Sequence, residues 1–366
     1  MRNIIYSFIL TILTTAIFAQ SKLQPGFDVK EHVALAALSR FGADFPDSLL
    51  GGSKKNKFRL IYRSPEVGLK NQWSFFLRDD NTGIISIRGT VGNKESWLAN
   101  FYAAMIPATG SLHLTDSTVF DYKLADDPKA AVHVGWTVSL GFMAAGILEK
   151  ISEQYSKGVR DIYIYGHSQG GAIAFLATSY LKHLQQDGKL PADFTFKTYC
   201  SAGPKPGNMY YAYDYDFITR GGWGFNVINA ADWVPETPYT VQRMQDMNEI
   251  NPLIHTKEGL KKQGFLARAA GGYFYGKLNR KPRKVQRMYN RMFGNTLYNL
   301  AVKKTLKQYN KPEYAESANY MRAGTPVVLL TDEDYHSKFR FDEKKKDYFV
   351  HHHFSAYYYL LKKHYY

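Results

Sequence analysis

The chain has 366 residues, 45% of them hydrophobic and 22% charged, with 28 Tyr and 23 Phe. That excludes a disordered chain and allows either one elaborated domain or two small ones, while a lone cysteine, Cys200, excludes an internal disulfide framework. The formal net charge is +15, and fourteen Lys/Arg against one acid (Glu258) lie between Lys257 and Lys307, so the excess is concentrated in one block that attracts polyanions.

The chain opens with Met1-Arg2-Asn3, an apolar run from Ile4 to Phe18 and the small-residue step Ala19-Gln20. This is the form of a secretory signal peptide over residues 1–19, and it predicts export, either secretion or a periplasmic location. The run is short for a permanent span, which needs roughly 20 apolar residues.

Asp28 to Ser39 carries Val33, Leu35 and Leu38 at helical spacing. Short strand-like runs follow at 58–62, 72–77 and 83–87, and then a helical stripe from Val132 to Ser152 through Val138, Phe142, Ile147 and Ile151. Asp161 to Tyr165 is β-branched and aromatic and stops abruptly at Gly166, and small and apolar residues from Gly170 to Leu184 predict a closely packed helix. Phe194 to Cys200 and Phe225 to Ile228 are further buried-strand candidates, with Cys200 a small buried hydrophobe. Strands alternating with helices predict an α/β fold with a mostly parallel sheet flanked by helices.

Beyond Pro238 the composition shifts. Val285, Met288, Tyr289, Met292 and Phe293 fall on one helical face among Lys/Arg, which predicts a basic, mostly helical insertion before a C-terminal catalytic segment. The expected organisation is therefore a core over 20–238, the insertion over 239–346 and a returning tail over 347–366.

Gly166-His167-Ser168-Gln169-Gly170 fits G-x-S-x-G, between a strand-like run and a small-residue helix. A serine oxygen displayed at a sharp strand-to-helix turn needs backbone close to backbone on both sides, and glycine two before and two after removes the colliding side chains. The helix start behind it offers free N–H groups to a developing oxyanion. Ser168 is the nucleophile candidate.

Several blocks in this order resemble the class 3 lipase family of α/β-hydrolases, known best from fungal triacylglycerol lipases. They are Ile85-Ser86-Ile87-Arg88-Gly89-Thr90, Ser96-Trp97-Leu98-Ala99-Asn100, Val132-His133-Val134-Gly135-Trp136, Gly166 to Gly171, Ser201 to Asn208, and Val227 to Pro235. Gln169 stands where the family pattern usually has Leu.

The resemblance implies Asp232 as triad acid and a C-terminal histidine that precedes a Tyr by about five residues. His351-His352-His353 offers three choices; His352 has that spacing to Tyr357 and His353 has it to Tyr358, and His352 is preferred. The Gln169 N–H and the Thr90 N–H and hydroxyl are implied as the oxyanion hole. His133 is implied to be structural, and His167 should point away from the nucleophile. Gly92 to Phe101 occupies the lid position, with Trp97, Leu98 and Phe101 as its apolar face.

The implied chemistry is ester hydrolysis through an acyl-enzyme, on triacylglycerol or phospholipid, with no metal and no cofactor. The basic block predicts peripheral contact with an anionic membrane or lipid interface, and an exported chain has little occasion to meet nucleic acid. The alternative is a catalytically inactive protein of this fold that binds anionic membranes through the same block.

Overall fold

The computed structural model describes residues 21–50, 57–253 and 256–366. The expected signal peptide lies outside the described residues.

A seven-stranded sheet carries the molecule. Its strands are β1 (Phe58–Arg63), β2 (Trp73–Arg78), β3 (Gly83–Ile87), β8 (Asp161–His167), β9 (Thr195–Ser201), β11 (Gly224–Asn229) and β13 (Thr325–Leu329), side by side in that order. The β1–β2 and β2–β3 pairs are antiparallel, and every pair from β3 to β13 is parallel. Strands buried on both faces read as unbroken apolar runs, and all five residues of β3 are buried. A smaller sheet of β12 (Tyr320–Met321), β10 (Gly207–Asn208), β7 (Ala131–His133) and β4 (Met105–Pro107) stands beside it, with a hairpin of β5 (Thr109–His113) and β6 (Val119–Lys123).

Helices cover both faces. On one, α3 (Val134–Ser156) and α4 (Gln169–Gln186) pack against Phe75, Ile85, Ile162 and Ile164, with α2 (Lys94–Phe101) and α5 (Met209–Ile218) completing the layer. On the other, α1 (Val29–Phe41) and α10 (Phe354–Tyr365) bury Val33, Leu38, Leu360 and Leu361 on Ile84, Tyr163 and Val227. Asp28 caps α1 by accepting from the Lys30 and Glu31 amides, which starts that helix where the sequence pattern put it. Glu31 then pins α1 to the sheet: its carboxylate accepts from Lys197 Nζ and from the Tyr163 and Tyr199 hydroxyls, each at 2.6 Å.

The segment after Pro238 is helical through α6 (Thr256–Lys261), α7 (Phe265–Tyr289), wide helical turns over Asn290–Thr296 and Tyr298–Val302, and α8 (Lys303–Thr305). It is not wholly helical. β12 and β13 lie within 239–346, and β13 is the last strand of the main sheet, followed by α9 (Glu333–Lys338). The core therefore takes back part of the segment that the sequence assigned to an insertion.

Candidate active site

Ser168 is the single residue between the end of β8 and the start of α4, with φ 61° and ψ −129°. A positive φ is strained for a residue with a Cβ, and the surroundings over-determine it. Its N–H donates to Ser201 O at 2.9 Å and its carbonyl accepts from Ala172 at 3.1 Å. A Cβ on Gly166 would stand 2.0 Å from Gly170 O, and one on Gly170 would stand 2.2 Å from Ile87 O. Any side chain at either position would push the turn apart. Gln169 is the first residue of α4, so its N–H has no acceptor within the helix.

Asp232 lies just beyond β11, buried, in a short turn in which its N–H donates to Asn229 O. One carboxylate oxygen accepts from the Val234 N–H at 3.0 Å. The other accepts from His352 Nδ1 at 2.7 Å and from the Tyr357 hydroxyl at 2.8 Å. His352 Nδ1 therefore carries the proton, and Nε2 is left as the basic nitrogen.

The three adjacent histidines go to three different partners. His351 Nδ1 meets the Tyr335 hydroxyl at 2.8 Å, and His353 Nε2 meets the Asp347 carboxylate at 2.8 Å on the exposed side. Only His352 of the three reaches Asp232.

His167 holds the histidine segment. Its Nε2 donates to His352 O at 2.9 Å, so its Nδ1 accepts from the Ser201 hydroxyl at 3.1 Å, and the His167 and His352 rings lie 4.7 Å apart. Burial first, and then the neighbouring His352, keep the His167 pKa well below the usual histidine range, which suits a neutral ring in this role. Tyr357 and His167 are two site contacts that sequence reasoning did not assign. The only signal for Tyr357 was its spacing from His352.

The loop after β3 runs against the turn: a Cβ on Gly89 would lie 2.9 Å from His167 O and 3.6 Å from Ser168 Cβ. Thr90 follows directly, and Asn100 fixes its side chain by donating from Nδ2 to Thr90 Oγ1 at 3.0 Å. Asn100 Oδ1 accepts from Trp136 Nε1 (3.0 Å) and from Gln169 Nε2 (2.8 Å). Its carbonyl accepts from His133 Nε2 at 3.1 Å. His133 caps α3 through Nδ1 and stacks on Trp136, and burial lowers its pKa to about 3. It is a structural residue.

The Gln169 side chain is buried as well, donating to Ser96 O at 2.9 Å and accepting from Asn71 Nδ2 at 3.4 Å. It joins the Ser168 turn to α2. Within α2, Leu98 turns into the core, while Trp97 and Phe101 stack outward at 5.9 Å. Trp97 also meets Phe349, which packs on Trp233 and on the His352 ring, so Phe349 joins an aromatic cluster to that ring.

Residues 84–242 match the family described as lipase (class 3). The chain is 28% identical over 178 residues to a secreted mono- and diacylglycerol lipase from Fusarium solani, a match over 47% of this chain and 45% of that protein. The chain thus spans about half the length of this relative. Among solved structures, it is similar to a Rhizomucor miehei lipase–propeptide complex (TM-score 0.39, 19% identity, 57% of this chain and 62% of that one). It is also similar to a triacylglycerol lipase from Penicillium expansum (TM-score 0.41, 16% identity, 58% and 75%). The match to the class 3 lipase family over residues 84–242 takes in both the Ser168 turn and Asp232.

Proposed function

We propose that the chain is a lipid ester hydrolase in which Ser168 is the nucleophile, His352 the general base and acid, and Asp232 the carboxylate that orients it. The observation that supports this most is the 2.7 Å contact of His352 Nδ1 with buried Asp232, on a histidine held by the residue that precedes Ser168. In this reaction Ser168 Oγ attacks the acyl carbonyl carbon as its proton passes to His352 Nε2. The tetrahedral oxyanion is met by the N–H groups of Gln169 and Thr90 and by the Thr90 hydroxyl. The departing alkoxide takes the proton from His352, leaving an acyl-serine. Water, deprotonated by the same nitrogen, then releases the carboxylic acid and restores Ser168.

The proposed substrates are acylglycerols or phospholipids. The Fusarium solani relative is named for mono- and diacylglycerols and for secretion, which agrees with this reading and with export of the present chain through residues 1–19.

Hydrolysis of p-nitrophenyl esters tests the assignment. Ser168→Ala and His352→Ala are expected to lose about 10³-fold or more in kcat. His351→Ala and His353→Ala are expected to keep activity within about tenfold, because neither ring touches Asp232. If His353→Ala, and not His352→Ala, abolished turnover, the proposed base would be the wrong one.

A further inference from the structure

We propose that α7 is a docking element for an anionic lipid surface, distinct from the Ser168 cleft and independent of its chemistry. Between Gly259 and Pro312 the sequence contains no Asp or Glu, and eight Lys/Arg fall between Phe265 and Arg291. The helix is seated by Tyr275, Gln286 and Tyr289, which are buried and lie on one side. Asn290 continues the anchorage by donating to Ala315 O, as Phe293 does by accepting from the Ala104 N–H.

Roughly 100° round the helix from that seat, Phe274, Leu278, Val285, Met288 and Met292 form a second apolar stripe. It is open to solvent: Phe274 is 63% exposed, Leu278 65% and Met292 49%. Lys277, Lys281, Lys284 and Arg291 stand exposed beside it.

Three occupants could be imagined for such a stripe, and charge and polarity choose among them. A second copy of the chain would bring eight more cations against these eight, which repel. A nucleic acid would satisfy the cations but gives the Phe274–Leu278–Met292 stripe nothing to bury against. An anionic bilayer surface satisfies both, with acyl chains receiving the stripe and headgroup phosphates meeting the lysines and arginines that flank it.

Binding can be read without turnover by sedimenting the Ser168→Ala protein with vesicles. Mixed phosphatidylcholine–phosphatidylglycerol vesicles are expected to bind it and pure phosphatidylcholine vesicles to leave it in solution, with binding weakened by added salt. Phe274→Asp with Leu278→Asp is expected to reduce vesicle affinity by about tenfold or more. The same pair of changes in the Ser168-containing protein should leave hydrolysis of a soluble ester unchanged.

Lys281→Ser with Lys284→Ser changes only exposed charges, so it keeps the test intact if the apolar variant fails to fold. This variant is expected to lose about tenfold in affinity and part of the salt dependence. Equal binding to neutral vesicles, or binding that neither variant alters, overturns the proposal. So does a dimer by sedimentation velocity that Phe274→Asp with Leu278→Asp dissociates. Binding to duplex DNA that survives the apolar changes and displaces the vesicles would assign the surface to nucleic acid instead.

Discussion

The polarity of one hydrogen bond decides what Thr90 can do. An indole N–H can only donate, so the Asn100 atom facing Trp136 is the oxygen, and the atom facing Thr90 is the amide nitrogen. Thr90 Oγ1 then accepts, and its own proton is free for an oxyanion. Asn100→Asp reverses that bond: a carboxylate takes the Thr90 proton, while Trp136 and Gln169 still find an acceptor. In the proposed reaction this removes one oxyanion donor and adds a negative charge beside it. The expected result is a loss of about 10²-fold in kcat on a soluble ester, with KM within a few-fold. A change in KM alone would leave the donor role of the Thr90 hydroxyl unsupported.

At the scale of elements, the side chain after Ser168 ties α2 to the turn. Gln169→Leu, which installs the residue usual in the family pattern, would leave Asn71 and Ser96 O without this partner in a buried place. The expected cost is about 1–3 kcal/mol in urea unfolding, with faster amide exchange along 94–101. Unchanged exchange there would mean that Leu98 and Ala99 hold the helix without help. These contacts were beyond the sequence, which read a motif position but not where its side chain reaches.

Longer elements were legible: Gly83 to Ile87 is a strand with those limits, and the helix read from Asp28 begins one residue later because Asp28 is its cap. The run read as one helix from Val132 begins instead with a short strand, β7, which His133 ends by capping α3. Two- and three-residue strands have no periodicity to find. β13 was hidden by Pro326, which an interior strand would not tolerate, but it forms the edge of the sheet, where a missing N–H costs little. The choice among His351, His352 and His353 likewise rests on which ring meets Asp232, a contact 120 residues apart in the chain.

For the whole molecule, buried histidines set an acid limit on stability. His32 and His133 are fully buried, and burial lowers both pKa values from 6.5 to about 3. Below pH 6.5 the unfolded chain protonates both rings while the folded chain does not. Protons thus bind the unfolded state preferentially, and stability falls as pH drops from 6.5 towards 3. Between pH 7 and pH 5 each ring is expected to contribute a loss of about 1–2 kcal/mol. The two are not equivalent as probes. His133 has bonds to Asn100 and Trp136 to lose, whereas neither nitrogen of His32 has a partner among the described residues and its ring sits among Phe27, Tyr165 and Tyr199. His32→Phe keeps a flat ring in that aromatic site and removes the titrating group. Urea midpoints at pH 7 and pH 5 should therefore lie closer together in this variant than in the parent, with the gain largest at pH 5. An unchanged gap between the two midpoints would mean that His32 is protonated in the folded protein, with water reaching a ring that the packing closes off.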